Sequence, residues 1–281
     1  MSTAPTPLPS DRQEIMIVSH SMLFYWWPVW AVGLLMALLT YLDKTLMVVV
    51  PPKTEAIRDA DVYWNEGKSS ERKRYAVVVR DESKLPSDDK GDPLQPKLHM
   101  ANRSAYGVIF AATLLLVILI TNVPLRGLWS VVVIISIVLV AVIFALLDWW
   151  EKIFHYLSLL DIRINAGGYL FISLVLLVMW LVTTVFFDRQ IYMIFTPGQF
   201  RVCQEIGGGE STYDTIGMVI QKQRDDLFRH IILGLGSGDL IVRTSGAHTH
   251  EFHLPNVLFI NRKLQMIEAM MRDRPVVKGT A

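Results

Sequence analysis

Apolar residues in this chain gather into four long blocks, none of which contains Asp, Glu, Lys or Arg. A bilayer core about 30 Å thick takes roughly 20 residues of α-helix rising 1.5 Å each. Residues 22–42, 105–121, 128–147 and 166–187 meet that length and predict four transmembrane helices. Tyr25, Trp26, Trp27 and Trp30 crowd the start of the first, the composition of an interfacial anchor. That block is too long for a signal peptide's apolar region and lacks a small-residue cleavage pattern before Asp43, so it predicts a retained span. Residues 1–21 before it begin Pro- and Thr-rich and predict a mobile N-terminal tail. Asn122-Val-Pro-Leu-Arg-Gly127 is the whole link between the second and third blocks, short enough to predict an antiparallel helical hairpin. Gly33 with Ala37, and Gly107 with Ala111, place small residues four apart and predict close helix packing, within one bundle or a dimer.

Shorter periods fill the gaps between blocks. Trp149, Trp150, Ile153, Phe154, Leu157, Leu160 and Ile164 recur at spacings of three and four. Residues 148–165 therefore predict an interfacial helix or an extension of the third span. Within 43–104, Leu46–Val50 and Tyr75–Val79 are β-branched, strand-like runs, the first stopped by Pro51-Pro52. They predict a small two-stranded lobe on the membrane, too small to stand alone. Its basic triplet Arg72-Lys73-Arg74, with Glu71, Asp81 and Glu82 alongside, reads as a solvated face, and Pro86–Pro93 as a flexible loop.

From Asp188 onward the apolar runs shrink to strand length. Ile191–Phe195 and Phe200–Cys203 flank Thr196-Pro-Gly-Gln199, whose Pro-Gly pair predicts a type II hairpin turn. Gly207-Gly-Gly209 marks the next loop, and strands follow near Thr215–Gln221, Leu240–Thr244 and His250–Leu254. Asn256 stands where it could cap a helix carrying Val257, Ile260, Leu264, Ile267 and Met271 on one face.

Several stretches carry a family resemblance: Asp188-Arg-Gln-Ile-Tyr192 directly after a span, Ile216–Gln223, and Leu227–Asp239 leading into Leu240-Ile-Val-Arg-Thr244. With Phe252–Val257 running into the last helix, they resemble the bacterial pleckstrin-homology-like (PH-like) domains anchored by membrane helices. The resemblance covers about the last 90 residues and extends to the preceding span, while 43–104 shows none. It implies an α+β membrane protein, with four transmembrane helices followed by a PH-like β-sandwich or barrel over 188–274, capped by an α-helix, and a tail at 275–281. It also implies the cytoplasmic face of a bacterial inner membrane for that domain. Four spans put both termini on one side, so the termini would be cytoplasmic. The Lys and Arg flanking the spans point the other way, eight on the loop side against four, but 43–104 is at the length limit of the positive-inside rule. The family shares no catalytic residues, so none carries over.

Composition excludes several functions. The 281 residues are 52% apolar and 19% charged, with a mean hydropathy of +0.37. Soluble domains run near ~45–50% and ~25%, so a purely soluble or disordered chain is excluded. A formal charge of +1 excludes a broad basic field for nucleic acid. The single cysteine, Cys203, excludes an internal disulfide and a cysteine-based zinc or iron–sulfur site, and its apolar hairpin makes it core.

His248, His250 and His253 suggest metal ligands, but strand alternation sends the first two to one face and the third to the other. Gly234–Gly238 precedes a strand instead of a helix, which makes it a turn and not a phosphate loop. Asp225, Asp226 and Asp239 lack a nucleophile or metal partner; Asp148, Glu151 and His155 form the one ionisable cluster at membrane level. No catalytic, cofactor-binding or metal-ligating residue and no cofactor is assigned. Residues 188–281 hold 11 Lys and Arg against 10 Asp and Glu, with none of the basic ones in 207–210 or 234–239. That favours a protein or self-association surface over recognition of lipid headgroups.

The expectation is a non-enzymatic scaffold or accessory subunit of a membrane complex. Its partners would be the bilayer and other membrane proteins or a second copy, with no nucleic acid and no evident small-molecule substrate. The alternative is a transport or channel component, for which Thr113, Ser130, Ser136, Ser173, Thr183 and Thr184 supply a thin polar lining.

Overall fold

The computed structural model describes residues 14–51, 54–64, 69–79, 87, 89–91, 95–123, 127–204, 209–224, 226–245 and 249–272. It contains four helices long and apolar enough to cross a membrane: Met22–Leu42, Ala105–Asn122, Leu128–Leu146 and Ala166–Gln190. The first consists of a 3₁₀ turn, Met22–Trp26, and α1 (Trp27–Leu42), with Pro28 in the first turn, where its missing N–H costs no helical bond. The others are α2 (Ala105–Asn122), α3 (Leu128–Leu146) and, after α4 (Trp149–Leu159), α5 (Ala166–Val182). A π-helical turn (Thr183–Phe187) and a 3₁₀ turn (Asp188–Gln190) carry α5 onward.

Helices α1, α2 and α5 share one core, built on Val29, Met36, Ala37, Phe110, Val117 and Tyr169. Gly33 marks the closest approach: a Cβ there would overlap Ser173 Oγ of α5 and sit 2.8 Å from the Phe110 ring of α2. The small-residue expectation therefore holds for α1, and Gly107 of α2 likewise lies against the Ile162 carbonyl. Helix α3 departs from expectation. It buries only Ser130, while α2 turns Phe110, Val117 and Ile120 toward α1 and α5, so the expected α2–α3 hairpin does not pack as a unit. Residues 124–126 of the link lie outside the described residues. Beyond α3 the chain reverses at Asp148, whose φ is +53°, and Trp150 Nε1 donates to the Ala141 carbonyl at 3.1 Å. Helix α4 thus folds back on the end of α3 and is not its extension.

At one end of the bundle lies the lobe formed by residues 43–104. β2 (Leu46–Met47) pairs with β5 (Leu98–His99), and Met100 bridges Asn165 at the start of α5. β3 (Thr54–Trp64) and β4 (Ser69–Val79) pair antiparallel from Thr54↔Val79 to Trp64↔Ser69. The lobe thus holds two two-stranded sheets where one was expected, and Tyr75–Val79 pairs with 54–58 and not with 46–50. The reason is chain entropy: closing a short local hairpin costs less than closing the longer loop back to Leu46, and Pro51 ends the first run. Half of the expected Pro86–Pro93 loop lies outside the described residues.

The β domain occupies the other end. β1 (Ile15–Val18), β6 (Ile191–Phe195), β7 (Gln199–Gln204) and β8 (Glu210–Asp214) form an antiparallel sheet in the order β1-β6-β7-β8. β9 (Val219–Gln223), β10 (Gly238–Arg243) and β11 (Glu251–Val257) form a second sheet in the order β11-β10-β9. A π-helical turn, Phe228–Leu233, lies between β9 and β10, and α6 (Ile260–Arg272) closes the domain. Ile260, Ile267 and Met270 of α6 meet Ile17, Phe195, Phe200, Leu240, Val242 and Leu254 in one core. Each large apolar side chain wholly buried there contributes about 1.5–3 kcal/mol.

Three local features differ from expectation. Residues 15–18, assigned to the mobile tail, are a strand whose Ile17 is buried, so the domain is not confined to 188–274. The Thr196–Gln199 hairpin forms, but Gly198 does not take the positive φ of a type II turn; the Thr196 N–H and Oγ1–H both donate to the Gln199 carbonyl. Asn256 does not cap α6: it lies in β11 at φ +57°, four residues before the helix begins. Cys203 is buried in β7, as core.

Candidate functional site

Arg229 and His230 interrupt the apolar run Leu227–Leu235, and the π-helical turn decides what becomes of them. Phe228 and Leu233 of that turn pack on the core of α1, α2 and α5, which leaves Arg229 and His230 buried between the turn and β10. Charges placed there need partners, because a buried unpaired ion is costly. Asp226, just before the turn, accepts from the Arg229 N–H at 3.0 Å and lies 4.0 Å from its Nε. Asp239, at the start of β10, accepts from Arg229 Nη2 at 3.2 Å and from the Asn256 N–H at 2.9 Å. Asp226 and Asp239, two of the three acids weighed in the sequence, are both buried and flank the one guanidinium; Asp225 lies outside the described residues.

A second set of bonds leads from His230 to the first span. Arg229 Nη2 donates to His230 Nε2 (3.3 Å), which leaves the histidine proton on Nδ1, facing Ser237 Oγ at 3.2 Å. Ser237 in turn donates to the Tyr25 hydroxyl (3.0 Å), because Tyr25 uses its own proton on Asn256 Oδ1 at 2.8 Å. Asn256 Nδ2 completes the chain by donating to the His20 carbonyl at 2.8 Å. The Arg229 link needs neutral His230, since a proton on Nε2 would face the guanidinium; the links from Nδ1 onward do not depend on it. Burial is the main force pushing the His230 pKa below its usual value; Asp239 and Asp226 raise it, while Arg229 and Arg224 lower it.

The same leg of chain is tied down on both sides. His20 Nδ1 and the Ser21 N–H each lie 3.0 Å from an oxygen of Asp188, which is buried in the 3₁₀ turn that ends the fourth span. Ser19 Oγ donates to the Pro255 carbonyl, and Trp27 Nε1 to the Leu233 carbonyl, both at 2.9 Å. Gly234 makes room for this: a Cβ there would come within 2.8 Å of the Tyr25 ring. Tyr25 is accordingly a fully buried strut between span and domain, not a lipid-facing anchor.

Chemically this is an interlock. Its members are buried or half-buried and mutually bonded, and among the described residues no group of three His, Cys, Asp or Glu could hold a metal ion. His250 is exposed beside the Tyr213 and Phe252 rings, while His253 points to the opposite face, 4.0 Å from Asp239. His248 lies outside the described residues. Glu151 and His155 are exposed on α4, and Gly234–Gly238 leads into β10 as a turn. Sequence reasoning missed Tyr25, Arg229, His230, Ser237 and Asn256; the one available signal was the Arg-His pair inside an apolar run. No family model, curated protein or solved structure matches this chain.

Proposed function

We propose that this chain is a non-enzymatic scaffold or accessory subunit of a membrane complex, and that its β domain is the binding and assembly module. The observation that carries the reading is the interlock: bonds from Tyr25, His20 and Asp188 tie the domain to the first and last spans. A domain held this way presents one constant surface at the bilayer, as a docking platform requires. Sheets of four and three strands closed by a C-terminal helix support the PH-like reading, with the spans inserted after the first strand. In this reading the module faces the cytoplasm from a bacterial inner membrane, as the resemblance implies.

The test is cross-linking in native membranes, followed by mild detergent extraction and mass determination of the full chain and of a chain lacking 191–281. The expected result is a species well above the 32.0 kDa monomer that collapses when the domain is removed. A lone monomer in both cases, or partners retained without the domain, overturns the proposal. One observation favours the transport alternative: Thr40 Oγ1, Tyr169 Oη and Ser173 Oγ are buried in the spans without partners among the described residues. Ion flux through the purified protein in liposomes would support that reading instead.

A further inference from the structure

The turn Gly234–Asp239 has no basic residue of its own, yet the fold brings arginines to it from both sides. Arg224, just past β9, and Arg262, in the first turn of α6, line a cleft of about 280 Å³ with Leu235, Gly236, Phe259 and Asn261. Arg224 is held in place by donating Nε–H to the Ser237 carbonyl at 3.0 Å, and a Cβ on Gly236 would crowd its Nη2 at 3.3 Å. Lys222 lies behind the lining, its Nζ donating to Asn261 Oδ1 at 2.8 Å. Among the described residues none of these three cations has a carboxylate partner, whereas Arg201, Arg229 and Arg243 each have one. The cleft is therefore built to take an anion.

Its rim is apolar and strained. Leu235 and Phe259 are 60% and 61% exposed, and their φ values are +49° and +51°. Bulky side chains rarely adopt that backbone region, and such strain tends to be retained where a site uses it. Both rim residues stand beside the membrane helices. Leu233, two residues before Leu235, is buried in the core of α1, α2 and α5, and Leu258, next to Phe259, packs on the same core. Ile231 and Ile232 are exposed on the same turn.

We infer that this rim lies in the lipid interface and that the cleft binds the phosphate of an anionic phospholipid headgroup. A free phosphate would account for the cations but not for the apolar rim, and the continuity with the spans puts the rim where lipid must be. This goes beyond the assembly reading and does not depend on it: the contact would exist with or without a protein partner.

Native mass spectrometry of the full chain in detergent, with added phosphatidylglycerol or phosphatidylcholine, tests the cleft. Among the described residues the Arg262 side chain has no hydrogen bond or ion pair to lose, so Arg262→Glu should leave the fold intact. It should weaken phosphatidylglycerol retention about fivefold or more, given the usual worth of one basic residue near an anionic membrane, with phosphatidylcholine unchanged. Arg243→Gln, elsewhere on the domain, should change neither. Undiminished phosphatidylglycerol binding by Arg262→Glu overturns the inference; if that variant does not fold, Arg262→Gln is read the same way. Inorganic phosphate that displaces the lipid fully would reassign the cleft to a soluble anion and also overturn it. Depth is read separately from a nitroxide on Leu235→Cys or Phe259→Cys in mixed phosphatidylcholine–phosphatidylglycerol nanodiscs, since Cys203 is buried. The label should be shielded from a water-soluble nickel complex and open to oxygen. Access to nickel equal to that of a label in solution overturns the placement of the rim.

Discussion

At the scale of single residues, His230 makes the interlock sensitive to pH. It faces Arg229 on its own turn, Asp226 before it, Asp239 on β10, and Arg224 past β9. Its folded pKa lies below the ordinary histidine value of about 6.5, so in the window beneath that value the unfolded chain holds a proton that the folded one refuses. Stability is then complete above the window and falls as pH drops through it, by up to about 1.4 kcal/mol per pH unit for one proton. Thermal melts of the full chain in detergent should accordingly show a drop between about pH 7.5 and about pH 5.5, straddling the histidine range. His230→Gln should shrink that drop, because glutamine does not titrate. An unchanged drop in the variant would place the acid sensitivity elsewhere. None of this could be read from sequence: Tyr25 and Ser237 are 212 positions apart, and the aromatic crowd around Tyr25 suits an anchor equally well.

At the scale of elements, Gly33 sets how closely α1 lies to α5 and α2. Leucine there would drive carbon into Ser173 and Phe110, and overpacking of this kind costs about 1–3 kcal/mol. Gly33→Leu should therefore lower the melting temperature by several degrees, and Gly33→Ala by less; an unaltered melt for Gly33→Leu would mean the helices are not in contact there. The spans were legible to within a few residues because hydropathy is a property of contiguous sequence, and a helix closes its hydrogen bonds locally. The sheets were legible only in part. The run Tyr75–Val79 reads correctly as a strand, but nothing in its composition chooses 54–58 over 46–50 as partner; loop closure does. Ile15–Val18 is only four residues long and pairs with Tyr192–Phe195, beyond all four spans, so no local pattern marks it. Nor does composition show that α3 stands apart, because lipid-facing and helix-facing residues are equally apolar.

At the scale of the whole molecule, the β domain is closed by the two ends of the described chain. β1 precedes the first span and β6 follows the last, so their pairing needs the helices to bring residues 15–18 back to 192–195. The interlock repeats that closure in polar form, with Tyr25 and His20 on one side and Asp188, Ser237 and Asn256 on the other. The β1–β6 contact spans all four helices in sequence, and a contact so distant yields stability only after the intervening loop is closed. Ile17, 1% exposed and set among Phe195, Phe200 and Leu254, is where this dependence can be cut. A carboxylate at that position would be buried without a partner, at a cost of several kcal/mol. Ile17→Asp should release β1, leave the edge of β6 bare, and make residues 191–272 far more sensitive to protease. The spans would stay in the membrane, resistant to carbonate extraction, because none of their own contacts is touched. A domain that remained as resistant as the wild type would show that it stands on strands β6 to β11 alone, and that the first strand is an addition to the sheet and not a condition of it.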